Sequence, residues 1–154
     1  MSSSTPHSSG SPYTVLIVDD NDELLKSLRF ALSALGPFQI VTAANGAQGL
    51  ERAYETPPHC IVIDVKMPGV DGLQLARALR GDPETAAIPL VILSALIQEK
   101  DQTAGMLAGA DQYLTKPTKP QELVEAILQA IRLSEDERLS RLQALATQED
   151  GMGE

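Results

Sequence analysis

The sequence predicts a doubly wound α/β fold, with helices on both faces of a five-stranded parallel sheet. Four short apolar runs, TVLIV, CIVI, LVIL and QYLT, lead respectively to Asp19-Asp20, Asp64, Ser94 and Lys116. Such runs, rich in β-branched residues, are the pattern of parallel strands buried on both faces. Helix-periodic segments lie between them, and alternating strand and helix signals mark crossovers between parallel strands. The 154-residue length suits one domain with a substantial core. With 43% hydrophobic residues but only 3% aromatics and no Trp, that core is expected to be aliphatic.

Taken in order, residues 1–12, MSSSTPHSSGSP, hold six Ser and two Pro without apolar periodicity and are expected to be a disordered tail. TVLIV places the first strand near 14–18. In NDELLKSLRFALSAL, residues Leu24, Leu25, Leu28, Ala31, Leu32 and Leu35 recur at helical spacing, and Gly36-Pro37 stops the helix. Further strands are expected near 39–43, 60–64, 90–93 and 111–114, with helices between them. Thr118 followed by Gln121 fits a capping box for the fifth helix, whose stripe is Leu123, Val124, Ile127, Leu128 and Ile131.

Beyond Leu133, Ser134-Glu135-Asp136-Glu137 reads as a second capping box, predicting an added helix within an acidic extension over 134–154. Its stripe would be Leu139, Leu142, Leu145 and Ala146. The other reading has the fifth helix run on, or the stripe fold back on its own domain. A lone helix of about 12 residues is marginal in water. The leucines therefore need a partner, and the expectation is a homodimer built jointly by the fifth helix and the extension.

A net charge of −9 opposes nonspecific binding to nucleic acid or anionic membrane. One cysteine, Cys60, cannot make an intrachain disulfide, and no signal peptide or bilayer-length apolar run is visible. The reading is a soluble, cytoplasmic protein with no direct nucleic-acid or membrane partner. Cys60 and Met67 read as packing residues, and His7 and His59 are assigned no role.

In an open α/β sheet, ligands bind outside the carboxyl ends of the strands. Asp19, Asp20, Asp64, Ser94 and Lys116 would therefore share one crevice. Two carboxylates 4 Å apart repel by roughly 4 kcal/mol at an effective dielectric of 20. A divalent cation resolves that repulsion, and oxygen-only ligands suit Mg²⁺. No His or Cys pair has the spacing of a zinc site. With the charge balanced, Asp64 can attack phosphorus as a covalent nucleophile while Ser94 and Lys116 hold phosphoryl oxygens. Alone, each residue has a plainer reading: Asp19-Asp20-Asn21-Asp22 caps the first helix, Ser94 is a turn residue, Lys116 a surface lysine and Tyr113 half-buried packing.

VLIVDDND, DVKMPGVDG, VILSA and GADQYLTKP, in this order, resemble the receiver domain of bacterial two-component response regulators over 13–133. The resemblance implies the flavodoxin-like strand order 2-1-3-4-5. It implies a phosphorelay switch in which Asp64 accepts a phosphoryl group from a phosphohistidine of a sensor histidine kinase or phosphotransfer protein. Mg²⁺ would be held by Asp19, Asp20, Asp64 and the main-chain carbonyl of Lys66. Ser94 and Lys116 match the family's phosphate-sensing hydroxyl and phosphate-binding lysine. Tyr113 matches its aromatic switch, which turns inward as Ser94 moves. Lys116-Pro117 matches a bond that is typically cis, and Gly69 and Gly72 fit the tight loop after Asp64.

By the same resemblance, Lys66 and Leu96, two residues after Asp64 and Ser94, match positions at which family members vary and which tune hydrolysis of the acyl phosphate. Leu96 cannot orient water and Lys66 can cover the phosphate, so slow self-dephosphorylation is expected. Two other classes compete with the switch. A haloacid-dehalogenase-type hydrolase wants a carboxylate where Lys66 stands. A degenerate receiver acting as an unphosphorylated scaffold has no need of five polar groups in one crevice. The protein is thus expected not to be a conventional enzyme, but to catalyse its own phosphorylation and dephosphorylation and to signal through a downstream protein target. Only 21 residues follow Leu133, with a local charge of −4, so direct DNA output is disfavoured and a stand-alone receiver is expected.

Overall fold

The computed structural model describes residues 12–65, 70–95 and 98–152. Five parallel strands, β1 (Tyr13–Val18), β2 (Phe38–Ala43), β3 (Cys60–Val65), β4 (Leu90–Ser94) and β5 (Gln112–Thr115), lie in the order 2-1-3-4-5. They alternate with α1 (Asp22–Leu35), α2 (Gly46–Glu55), α3 (Val70–Gly81), α4 (Glu99–Leu107) and α5 (Pro120–Met152). The expected doubly wound architecture and strand order are both present.

Alternation along the strands divides the core into two layers. Val15, Ile17, Cys60, Val62, Val91 and Leu93 pack with Leu25 and Leu32 of α1 and with Leu123, Ile127 and Ile131 of α5. Their neighbours Leu16, Val18, Ile61, Ile63, Leu90 and Ile92 pack with Ala53 of α2, Leu75 and Leu79 of α3 and Ala108 after α4. The Val, Leu and Ile side chains among them are almost wholly buried, each worth roughly 1.5–3 kcal/mol against exposure. Register then sets the carboxyl edge: Asp64 pairs with Leu93, Val65 with Ser94 and Ser94 with Thr115.

Helix ends follow local chemistry. Asn21 caps α1, its side chain accepting from the Leu24 N–H, and the Gly36 N–H donates to the Leu32 carbonyl. Helix α4 ends in a Schellman motif: the Ala110 N–H donates to the Gly105 carbonyl and the Gly109 N–H to that of Met106. Gly109 has φ +112°, which a Cβ disfavours.

Three local expectations are corrected. Gly72 is the third residue of α3, not part of a loop; Gly69 lies outside the described residues. The cap of α5 falls one residue later than Thr118 and Gln121 predict: Glu122 accepts from the Lys119 N–H, while the Thr118 hydroxyl donates to the Thr115 carbonyl. No new helix begins at Ser134, because α5 runs unbroken for 33 residues, about 50 Å. A helix already propagating needs no second nucleus, so Ser134 spends its hydroxyl on the Ala87 carbonyl instead, at 3.3 Å. The side chains of Leu139, Leu142, Leu145 and Ala146 lie outside the described residues.

Candidate functional site

The carboxyl ends of β1, β3, β4 and β5 bring together Asp19, Asp64, Ser94 and Lys116. Asp19 follows β1 directly; its N–H donates to the Ala43 carbonyl and its Oδ1 accepts the Asn21 N–H at 3.0 Å. It is only 2% exposed, and the capping task falls to Asn21. The acidic pair therefore divides, with Asp19 facing the site and Asp20 exposed at its mouth.

Asp64 stands one residue from the end of β3 with a wholly buried side chain. Lys116 Nζ approaches its Oδ2 at 2.5 Å, and no hydrogen bond reaches its Oδ1 among the described residues. Burial, followed by the adjacent Asp19 carboxyl, pushes the Asp64 carboxyl up to about 7 against the pull of Lys116. One ammonium beside two carboxylates leaves negative charge uncompensated in a poorly solvated crevice.

The loop after β5 sets the lysine. Lys116-Pro117 is cis, as expected, and the Lys116 N–H donates to the Ser94 carbonyl at 2.7 Å. The Thr118 hydroxyl braces the loop on Thr115, a role not read from the sequence, where this threonine serves as a cap. Ser94 ends β4 and is fully buried. Tyr113 pairs with Ile92 across β4 and β5, so Ser94 and Tyr113 share one face of the sheet two positions apart. Tyr113 is half-buried against the layer that includes Ile92.

Lys66, Met67 and Leu96 lie outside the described residues. Among the described residues, no group of three or more His, Cys, Asp or Glu side chains is set to hold a metal unaided. Mg²⁺ needs no such cage, since it keeps several waters and uses one or two carboxylates with a phosphate. Asp19 and Asp64, with Asp64 Oδ1 left without a donor, suit that demand.

The sequence reading also left out His59. Its Nδ1 accepts the Thr14 N–H at 2.9 Å while the His59 main-chain N–H donates to the Thr14 carbonyl, and its ring meets Tyr13 edge-on. The imidazole thus closes the start of β1, at the end of the sheet away from the acidic site.

Residues 15–128 match the family model for the response regulator receiver domain. The chain is 42% identical over 118 residues to the transcriptional regulatory protein PrrA of Mycobacterium leprae, covering 77% of this chain and 49% of that protein. It therefore spans about half the length of that relative. A putative response regulator from Chloroflexus aurantiacus superposes with a TM-score of 0.72 at 36% identity, over 79% of this chain and 98% of that one. The chemotaxis protein CheY4 of Vibrio cholerae superposes with a TM-score of 0.71 at 26% identity, over 77% and 98%.

Proposed function

This chain belongs to the response regulator receiver domain family, and we propose that Asp64 is its phosphoryl acceptor. The family's general function is phosphorylation-based signalling in two-component systems. The observation that carries the finer reading is the Asp64 side chain itself: buried, ion-paired with Lys116 through Oδ2 and flanked by Asp19, with no hydrogen bond to Oδ1 among the described residues.

In this reading an Asp64 carboxylate oxygen attacks phosphorus, and the new O–P bond forms as the bond from phosphorus to the donor breaks. The donor is a phosphohistidine of a sensor histidine kinase or phosphotransfer protein, or a small acyl phosphate. Lys116 and the Ser94 hydroxyl meet the phosphoryl oxygens, one as a point charge and one as a donor. Asp19, Asp20 and Asp64, with the Lys66 carbonyl, would hold Mg²⁺, which supplies charge neutralisation for the phosphoryl oxygens. The added charge of about −1.5 to −2 draws Ser94 toward Asp64, and Tyr113 follows on the same face of the sheet.

Output by protein contact is the proposed route, in the cytoplasm. The net charge of −9 speaks against DNA as a direct ligand of this segment. No described helix is long and apolar enough to cross a membrane. The long α5 supports a homodimer through its distal half, because so extended a helix gains stability chiefly by burying a face. Light scattering on the full chain and on a version ending at Leu133 tests this, and equal monomer masses at all concentrations would refute it. The main reading is tested by incubation with Mg²⁺ and acetyl phosphate followed by intact mass measurement. One phosphoryl increment is expected, and none would favour the unphosphorylated scaffold.

A further inference from the structure

We infer that Gly105 is the positioning residue of the Tyr113 switch: its missing side chain is the seat on which the ring rests. The inference builds on the switch reading above but stands on separate geometry. A Cβ built at Gly105 would lie 2.7 Å from Tyr113 Cδ2 and 2.8 Å from Cε2, with Ile92 Cδ1 at 3.3 Å. Both ring contacts fall well inside van der Waals distance, and both come from one edge of the ring. Any other residue at 105 would drive the ring from its present position.

Nothing in the backbone asks for glycine here. The positive-φ glycine of this segment is Gly109, the Schellman residue, whereas Gly105 sits within α4. Inside a helix glycine is less favourable than alanine. Gly105 is buried, so solvent gives no reason for it either. The bare backbone is explained by the ring edge it accepts. It lets α4 and β5 approach closely enough for Tyr113 to reach the layer containing Ile92, on the sheet face shared with Ser94.

Seated in this way, the ring has one position set by α4 and another opened only when Ser94 moves. Filling the seat removes the first position without touching Asp64, Ser94 or Lys116. A variant at 105 therefore carries its ring displaced before any phosphoryl group arrives, and its response to activation is blunted.

Two measurements test this. The first is a thermal double-mutant cycle on the full chain. Gly105→Ala lowers Tm by roughly 5 °C when Tyr113 is present, yet raises Tm in a Tyr113→Ala background, where helix propensity alone acts. A change of the same sign in both backgrounds overturns the inference. If Gly105→Ala alone does not fold, the double variant must; failure of both means that something other than the ring excludes the methyl.

The second uses 3-fluorotyrosine, since the chain has only three tyrosines and no Trp. Tyr113→Phe assigns the resonance, followed by fluorine NMR with and without Mg²⁺ and beryllofluoride. The wild-type Tyr113 signal moves on activation; in Gly105→Ala it starts displaced and moves less. Equal starting positions and equal shifts defeat the positioning role while leaving the switch intact. A wild-type signal that stays still while beryllofluoride binds defeats the switch reading, and the thermal cycle still decides the seat.

Discussion

Two cation–carboxylate pairs sit at opposite ends of this sheet, and they are built on opposite principles. At the amino end, Arg80 at the end of α3 donates from Nε to the Gly109 carbonyl, from Nη1 to those of Ala86 and Ile88, and from Nη2 to Asp111. The same Asp111 oxygen accepts the Leu90 N–H, which ties β4 to β5. At the carboxyl end, Lys116 meets a more deeply buried Asp64 whose Oδ1 has no donor among the described residues and which has Asp19 beside it. A closed network holds elements together, whereas an open one is left to be completed by a ligand. Completeness of partners thus separates structure from site better than the presence of an ion pair does.

The widest separation between the two ends comes from breaking each in turn. With Asp64→Asn, the mass increment from Mg²⁺ and acetyl phosphate should vanish altogether, while Tm holds or rises because the repulsion from Asp19 goes with the charge. A full increment surviving in that variant would transfer the acceptor role elsewhere. Arg80→Met should do the reverse. It leaves the carbonyls of Ala86, Ile88 and Gly109 without their donor and Asp111 without its cation. Partial exposure of the pair discounts the charge contribution, and a loss of about 2–4 kcal/mol in urea unfolding is expected. Phosphorylation of the folded variant should be unimpaired.

A smaller effect sharpens the same contrast. Ligands that bind only the folded state stabilise it, by about 1.4 kcal/mol at ten times the dissociation constant. Mg²⁺ at that concentration should raise the wild-type Tm by roughly 5 °C. Arg80→Met should show the same rise from a lower baseline, and Asp64→Asn little or none. Equal rises in all three proteins would mean that the cation binds away from the acidic site.

What could be read beforehand divides along similar lines. The strands were legible because burial on both faces writes itself as uninterrupted apolar runs, and the site because four such runs lead to polar residues at one edge. Helix α1 was legible from its period and its Gly36-Pro37 stop. Arg80 and His59 were not, since each bonds to groups outside its own element, and neither leaves a periodic or motif pattern. The cap of α5 was misplaced by one residue because Thr118, Lys119, Gln121 and Glu122 offer overlapping capping chemistries, and the cis Lys116-Pro117 turn occupies Thr118 elsewhere. Ser134 to Glu137 read as a start because acids suit both a first turn and the exposed flank of a continuing helix.

The smallest predicted effect comes from a third pair, closed like Arg80–Asp111 but nearer the surface, with Tyr54 41% exposed. The Tyr54 hydroxyl at the end of α2 donates to Asp82 Oδ2 in a short hydrogen bond, and Asp82 Oδ1 accepts the Glu84 N–H. The bond from Tyr54, then that from the Glu84 amide, holds the Asp82 carboxyl below its ordinary value of 3.8, and Asp82 in turn raises the Tyr54 phenol above 10.0. The contribution of Asp82 is present above the unfolded carboxylate value and is lost as pH falls through the depressed folded one. That of Tyr54 is present below 10.0 and lost as pH rises through its raised value. If partners alone decided stability, this pair would match the Arg80 network. Because solvent competes for both groups, Tyr54→Phe should lower Tm at pH 7 by no more than about 2 °C. That difference should shrink toward zero as pH is taken from 7 to 3 in a series of thermal melts. A loss as large as that of Arg80→Met, or one that does not respond to acid, would show that burial is not what separates the two closed pairs.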